Sequence, residues 1–566
     1  MIDFKKEIAG MLALQITEMN ENEIMDMIEI PPDSKMGDYA FPCFKLAKIF
    51  RKAPPLIAKE IVEKIKDEDL LKEVVNTNAY VNFFINPALF IKSVLEDVHQ
   101  QGDDYGKTNI GENRKVIVEY SSVNIAKPFH IGHIRSTVIG SALNNIYQFL
   151  GYDTVAINHL GDYGTQFGKL IVAYKLWGNK KAIEDDPIPE LLKIYVQYHE
   201  EAEKNPDLDE EARGWFTKLE NGDEEAVELW QWFRDVSLKE FNRVYDMLGI
   251  QFDSYAGESF YSDKMPKVLE TMRENGIMKK SDGAEIVDLE EFGMPPALIT
   301  KKDGSTLYIT RDLAAAIYRK EHYDFYKNIY VVGSQQILHF QQWMKIIELM
   351  GYDWSDDCIH VPFGMVSLGE GTMSTRHGRV VFLEDVLKKA VEKTKEVILE
   401  KNVNAELVDE VSRQVGIGAV IFQELSNNRI KDYTFSWEKT LSFEGETGPY
   451  VQYTHARACS VLRNAQQELG IDVNYDLLVG ESAFELVKEF YDFPKVVLDA
   501  AEKYEPSVVT RHIIDIAQAF NRFYHEHHII VDDAEVQKSR LLIAHATKQV
   551  IANGLRLLGI EAPERM

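Results

Sequence analysis

The stretch VIVEYSSVNIAKPFHIGHIRSTVIGSALNNIYQFL, residues 116–150, decides the fold. Val116, Ile117 and Val118 make a short β-branched run, and apolar residues then return at Ile131, Ile134, Val138, Ala142, Ile146 and Phe149, close to the helical period. The segment reads as a buried strand, a polar turn and a long amphipathic helix. The turn carries Pro128, His130, Gly132 and His133. A glycine at a helix N-terminus lets a ligand approach the backbone, where free N–H groups and the helix dipole favour anions. The turn is therefore expected to bind phosphate and to seat the chemistry.

On the C-terminal side of this stretch strands and helices keep alternating: TVAIN, a helix near Gln166–Trp177, NIYVVG, a helix from Gln336, and IHVPFGM. Such alternation predicts a parallel sheet with crossover helices, a Rossmann-like doubly wound α/β fold with ligands at the carboxyl ends of the strands. There is no GxGxxG, so a dinucleotide cofactor is not indicated. Two insertions interrupt the pattern. One, about 180–235, is acidic and helix-rich and reads as a solvated face. The other, about 265–310, looks like a hairpin around Lys302-Asp303-Gly304, with a helix opening near Asp312.

Residues 1–105 read as a separate small α/β module, with a first amphipathic helix, a helix through Pro55–Lys66 and the alternating strand AYVNFFIN. The Gly-, Asp- and Asn-rich QQGDDYGKTNIGENRK is the expected linker to a catalytic unit over 106–400. After about Asn402 the alternation stops, and 401–566 is helical in pattern throughout, as an α-helical bundle requires.

At 566 residues, with 45% hydrophobic and 27% charged side chains, the composition is that of an ordinary globular protein of several domains. Cys43, Cys358 and Cys459 are far apart and form neither a disulfide framework nor a CxxC knuckle, so a reducing cytoplasm and no structural metal are expected. No signal peptide and no apolar run of about 20 residues is seen, so no membrane is expected. A net charge of −28 argues against a general nucleic-acid binder, and any RNA partner must meet local basic patches.

His-Ile-Gly-His at a strand-to-helix junction resembles the HIGH signature of class I aminoacyl-tRNA synthetases, and the surrounding EYSSVNIAKPFHIGHIRST is similar to that of arginyl-tRNA synthetases, as are YITRD, SQQILHF and the final LLGIEAPERM. The resemblance implies that His130, Gly132 and His133 bind ATP, entering as its magnesium complex, and stabilise the transition state at the α-phosphorus. It implies a tRNA-elbow-binding role for the N-terminal module and an anticodon-binding role for the bundle, with Tyr450, Arg457, Tyr524 and Met566 as contacts. The second class I signature, KMSKS, is matched only in part by GTMSTRHGR: Met373 and Ser374 stand, but Thr372 and Thr375 replace the lysines. Phosphate charge must then come from Arg376, His377, Arg379 or elsewhere. In arginyl enzymes that lack the second lysine, a lysine just upstream of HIGH is thought to substitute, and Lys127 occupies that place, with a surface lysine as the bland alternative.

A pocket for arginine needs a carboxylate, because planar bidentate pairing is the strongest way to hold a guanidinium. Glu119, ending the first strand, and Asp312, in YITRD with Tyr308 four residues earlier, are the candidates. Asp312 reads equally well as a plain helix N-cap. The match of EYSSVN and YITRD to the family's arginine-binding segments favours function for both and adds Ser121, Asn124, His159 and Gln336, with Asp162 nearby. The expected protein is a cytoplasmic, monomeric ligase acting on L-arginine, ATP and tRNA(Arg), without protein-bound zinc. Its rivals are a class I synthetase for another amino acid and an inactive paralogue that binds RNA.

Overall fold

The computed structural model describes residues 1–65, 67, 69–302, 307–367, 381–400 and 407–566. Its centre is a four-stranded parallel sheet in the order Cys358–Phe363, Lys327–Gly333, Lys115–Glu119, Asp153–Ile157. The third and first strands in chain order are therefore neighbours at the centre, and their carboxyl ends frame the crevice where strand order reverses, which is where open α/β sheets bind ligands.

The helix after the HIGH turn, Ile134–Phe149, was expected to be amphipathic and is instead buried on nearly every side, including Arg135, Ser136, Thr137 and Asn144. It is sandwiched: one face lies on the sheet and the other on the C-terminal helices, where Tyr147 Oη donates to the Ala501 carbonyl at 3.1 Å. Gly140 is what allows the sheet side to close, since a Cβ there would lie 2.1 Å from that of Tyr120.

The acidic insertion forms helices Lys180–Asp185, Pro187–Ala202, Asp207–Glu220 and Glu224–Leu248, the last running beyond the expected limit. The second insertion is a three-stranded antiparallel sheet of Met278–Ser281, Ala284–Val287 and Ala297–Thr300. A two-residue hairpin turn within it is Asp282-Gly283, with φ of 48° and 85°. Asp-Gly suits a turn that needs two positive φ values. Asp303 and Gly304 lie outside the described residues. The next helix opens at Tyr308, not near Asp312, so Asp312 sits in its second turn and is no N-cap.

The N-terminal module packs helices Phe4–Ala13, Glu21–Met27 and Pro54–Lys64 on an antiparallel sheet of Tyr39–Pro42, Tyr80–Ile85 and Leu71–Thr77. The helix Pro87–Gln101 takes in the first two residues of the expected linker and ends at Gly102; Asn86 caps its N-terminus and Pro87 opens it. Helices Val408–Ser426, Gly448–Asn464, Glu481–Glu502, Ser507–Glu526 and Ala534–Leu557 build the C-terminal bundle. A short parallel pair, Val366–Ser367 with Tyr433–Thr434, reaches back across the expected boundary near residue 400.

The final residues are fastened to the bundle. Arg413 forks onto Glu561 at 2.6 and 2.9 Å, His455 Nδ1 donates to the Pro563 carbonyl at 2.9 Å, and Arg463 donates to that of Glu564 at 2.9 Å. Met566 packs on Ile398, Val408, Val411 and Val415. Deleting Pro563–Met566 should thus strand a buried imidazole donor, at about 1–3 kcal/mol, and uncover apolar surface. Calorimetry should show the melting temperature of the full chain falling by several degrees. An unchanged melting temperature would mean that these contacts hold nothing.

Candidate active site

Ser121, Ser122 and Ala126, in the loop between the strand Lys115–Glu119 and the HIGH turn, all lie in the left-handed region, at φ of 67°, 49° and 57°. Each such residue costs on the order of 1–3 kcal/mol and persists only where its surroundings hold it. Here Ser121 N donates to Ser136 Oγ at 3.0 Å, Thr137 Oγ1 donates to Ser121 Oγ at 2.9 Å, and Ala126 N donates to Ser237 Oγ at 3.1 Å. Tyr245 Oη meets both Ser121 Oγ at 2.8 Å and Asn158 Nδ2 at 2.9 Å. Ser121 is thus part of the loop's framework. Asn124 lies half-buried beside Gly161, where Ile125 N donates to the Gly161 carbonyl and Gly161 N to that of Val123.

The histidines of the turn form a closed pair, with ring centroids 3.8 Å apart. His130 N donates to His133 Nδ1 at 3.2 Å, and Gly132 N donates to His130 Nδ1 at 3.1 Å. Since both Nδ1 atoms accept, each neutral ring carries its proton on Nε2. Burial lowers both rings' affinity for a second proton, taking His133 to about 3, with neighbouring His130 adding to the effect. The sequence-based picture of free backbone donors therefore needs correction. The N–H groups of His130 and Gly132 are spent on the rings, that of His133 on the His130 carbonyl and that of Ile131 on the Val381 carbonyl. What the turn can offer a phosphate is two imidazole Nε2–H donors.

The chain returns to this turn after the KMSKS-like stretch. Leu383 N donates to the Phe129 carbonyl at 2.9 Å, and Phe382 bridges His130 antiparallel. Met373, Ser374 and Arg376, with Thr372, Thr375, His377 and Arg379, lie outside the described residues. Lys127 is half-buried and close enough to His133 and Glu258 for its charge to disfavour protonation of both. It also borders a cavity of about 860 Å³ shared with Thr165, Lys169 and His199.

Four carboxylates stand around the crevice, and three already hold an arginine of the chain itself. Glu119 Oε2 lies 2.6 Å from Arg319 Nη1, both buried. Asp162 accepts from Arg234 Nε at 3.3 Å and from Ser259 N and Oγ at 2.8 Å. Glu258 meets Arg311 at 3.3 Å, and burial pushes its carboxyl up to about 7. The fourth, Asp312, meets His339 Nε2 through its Oδ2 at 2.5 Å. Tyr308 is 59% exposed at the rim, while His159 Nδ1 lies 3.4 Å from Arg319 on the floor. Gln336 is exposed at the N-cap position of the following helix, without a side-chain capping bond, whereas Gln335 Oε1 folds over Gly333. His339, Arg319, Arg311 and Glu258 were not singled out from sequence, although SQQILHF contains His339.

In the bundle, Arg457 lies over the rings of Tyr453 and Tyr524, at 4.9 and 5.3 Å, and donates to Asn521 Oδ1 at 2.5 Å. Asn521 Nδ2 donates in turn to Tyr450 Oη at 2.9 Å. Arg457 and Tyr524 line a surface cavity of about 560 Å³. Among the described residues, one group of potential metal ligands converges, Glu489, His512 and Asp515, and it lies in the bundle rather than in the crevice.

Residues 94–437 match the family described as tRNA synthetases class I (R), catalytic domain. The chain belongs to the arginyl-tRNA synthetase family. Residues 3–85 match the family's N-terminal domain and 451–566 the DALR anticodon binding domain, so the Arg457, Tyr524 and Asn521 cluster falls within the latter. The arginine–tRNA ligases of Halothermothrix orenii and Clostridioides difficile are each 63% identical over 566 residues, covering 100% of both chains. In fold, the arginyl-tRNA synthetase structure from Thermus thermophilus superposes with a TM-score of 0.81 at 24% identity, covering 99% of this chain and 100% of its own. That from Plasmodium falciparum gives 0.79 at 24% identity, covering 99% of each. Within the family frame, HIGH stands complete at the switch point of the sheet, and GTMSTRHGR departs from KMSKS at both lysines.

Proposed function

We infer that this protein activates L-arginine with ATP to enzyme-bound arginyl-adenylate and pyrophosphate, then transfers the arginyl group to the 3′ end of tRNA(Arg), releasing AMP. Full-length kinship with arginine–tRNA ligases supports the reaction. The observation that carries substrate choice is the pairing of the carboxylates: of the four around the crevice, Asp312 is the one without an arginine partner among the described residues. An incoming guanidinium therefore meets Asp312, with Tyr308 above it, while Glu119 and His159 build the floor through Arg319 rather than meeting the substrate's charged end. Asn124 and Gln336 are proposed to hold its polar groups. His130 and His133 meet the α-phosphate of magnesium-bound ATP through Nε2–H, with Gly132 holding the His130 ring, and Met373, Ser374 and Arg376 complete the nucleotide site.

Arg457, Tyr524, Tyr450 and Met566 are proposed to meet the tRNA anticodon region, and the N-terminal module to meet the tRNA elbow. No helix among the described residues is long and apolar enough to cross a membrane. Three buried free thiols, Cys43, Cys358 and Cys459, support the reducing cytoplasm as the compartment. One chain carries all three family domains, and we propose that it acts as a monomer. Aminoacylation of bulk tRNA with a panel of radiolabelled amino acids tests the function: arginine alone should be attached. Attachment of another residue, or of none, would reject it.

Lys127→Ala should slow activation while leaving the KM for arginine nearly unmoved, because a cation poised on phosphate helps most as charge moves toward pyrophosphate. Arginine titrations of the variant check this. Normal turnover would move the task to Arg376, Arg379 or the magnesium ion.

A further inference from the structure

His339 stands in the first turn of the helix Ile337–Leu349, which follows the strand Lys327–Gly333 through the short turn Ser334–Gln336. Its ring sets an edge against Phe340, and Phe340 in turn stacks on His360 with centroids 4.1 Å apart, so the imidazole rests on a packed wall rather than on solvent. From there Nε2 reaches Asp312 Oδ2 at 2.5 Å, while both side chains keep about a quarter to a third of their surface open, 26% and 31%.

The contrast with the other three carboxylates gives this contact its meaning. Arg319, Arg234 and Arg311 bring a permanent charge to Glu119, Asp162 and Glu258, and a carboxylate so neutralised attracts a second guanidinium more weakly. An imidazole can orient a carboxylate with one N–H and bring no permanent charge. Each carboxylate oxygen accepts more than one hydrogen bond, so Oδ2 held by His339 can still serve one tooth of a guanidinium fork.

We propose that His339 is a positioning residue for arginine recognition: it fixes the Asp312 carboxylate through Nε2–H while bringing no permanent charge. This rests on the reading of Asp312 as the partner of the substrate guanidinium. The experiment is steady-state aminoacylation by the full-length enzyme, titrating arginine, ATP and tRNA separately. His339→Ala should raise the KM for arginine about tenfold or more, the loss of one hydrogen bond to a charged group, and leave the KM values for ATP and tRNA within about twofold. His339→Gln, whose amide nitrogen can occupy the place of Nε2, should restore most of the affinity. His339→Asn, one methylene shorter, should not. In the Asp312→Asn background His339→Ala should add little, since the group it orients has lost its charge.

A normal arginine KM in His339→Ala beside a raised one in Asp312→Asn would overturn the positioning role and leave the site reading intact. A normal arginine KM in Asp312→Asn itself would overturn the site reading, and the role of His339 with it. If His339→Ala instead lowers the melting temperature and weakens all three substrates together, with no rescue by Gln, the histidine is packing and the proposal is overturned.

Discussion

Replacing His133 with alanine slows adenylate formation by about 10²- to 10³-fold, the effect of losing one preorganised donor aimed at developing oxyanion charge. His130→Ala falls in the same range and also frees the Gly132 N–H from its ring acceptor. The donor is the Nε2–H of a neutral ring, because each Nδ1 is occupied as an acceptor and burial holds His133 at about 3. A pH dependence follows from that sign. A ring whose affinity for the proton is lowered stays neutral as pH crosses 6.5, so the single-turnover rate shows no inflection there from either histidine. A glutamine at 133 retains an N–H near the place of Nε2 and should recover part of the rate. Single-turnover adenylate formation decides the matter: unchanged rates in both alanine variants would remove the pair from the step, and a rate that climbs as pH falls through 6.5 would mean that the imidazolium, not the imidazole, is the donor.

Asp312→Asn should raise the KM for arginine by about 10- to 100-fold, since a hydrogen bond to a charged group contributes on the order of 1.5–3 kcal/mol and the amide keeps the shape while losing the charge. Melting temperature should hold, because Asp312 is partly open and its internal partner is one histidine. Glu119→Gln makes the informative comparison. There the fully buried Arg319 loses its counterion, and an uncompensated buried charge costs about 3–5 kcal/mol. That variant should therefore fail chiefly in stability, seen as a lower melting temperature, before it fails in arginine affinity. Arginine titrations and calorimetry on the two variants separate the roles, and a stable Glu119→Gln enzyme with a greatly raised arginine KM would return the guanidinium to Glu119.

What the sequence by itself determined is whatever is written locally. Val116–Val118 and the apolar spacing from Ile131 to Phe149 specify strand, turn and helix, and the alternation that follows specifies a parallel sheet, because each pattern matches the period of the element it forms. The separation of His130 from His133 by three residues likewise suffices to bring the two rings together in one turn. The hairpin turn at Asp282-Gly283 was equally legible, since Asp-Gly is a local signal for two positive φ values. Only the tertiary structure decided which carboxylate remains for a substrate. Arg234 reaches Asp162 across 72 residues and Arg311 reaches Glu258 across 53, on different elements, and no local period records such a pairing. The same holds for the HIGH turn, whose backbone donors are consumed partly by Val381, far along the chain, and for the helix Ile134–Phe149, whose polar face is covered by the C-terminal bundle. Charge compensation and burial depend on what the fold brings together, and a periodic pattern reports only which way a side chain points along its own helix or strand.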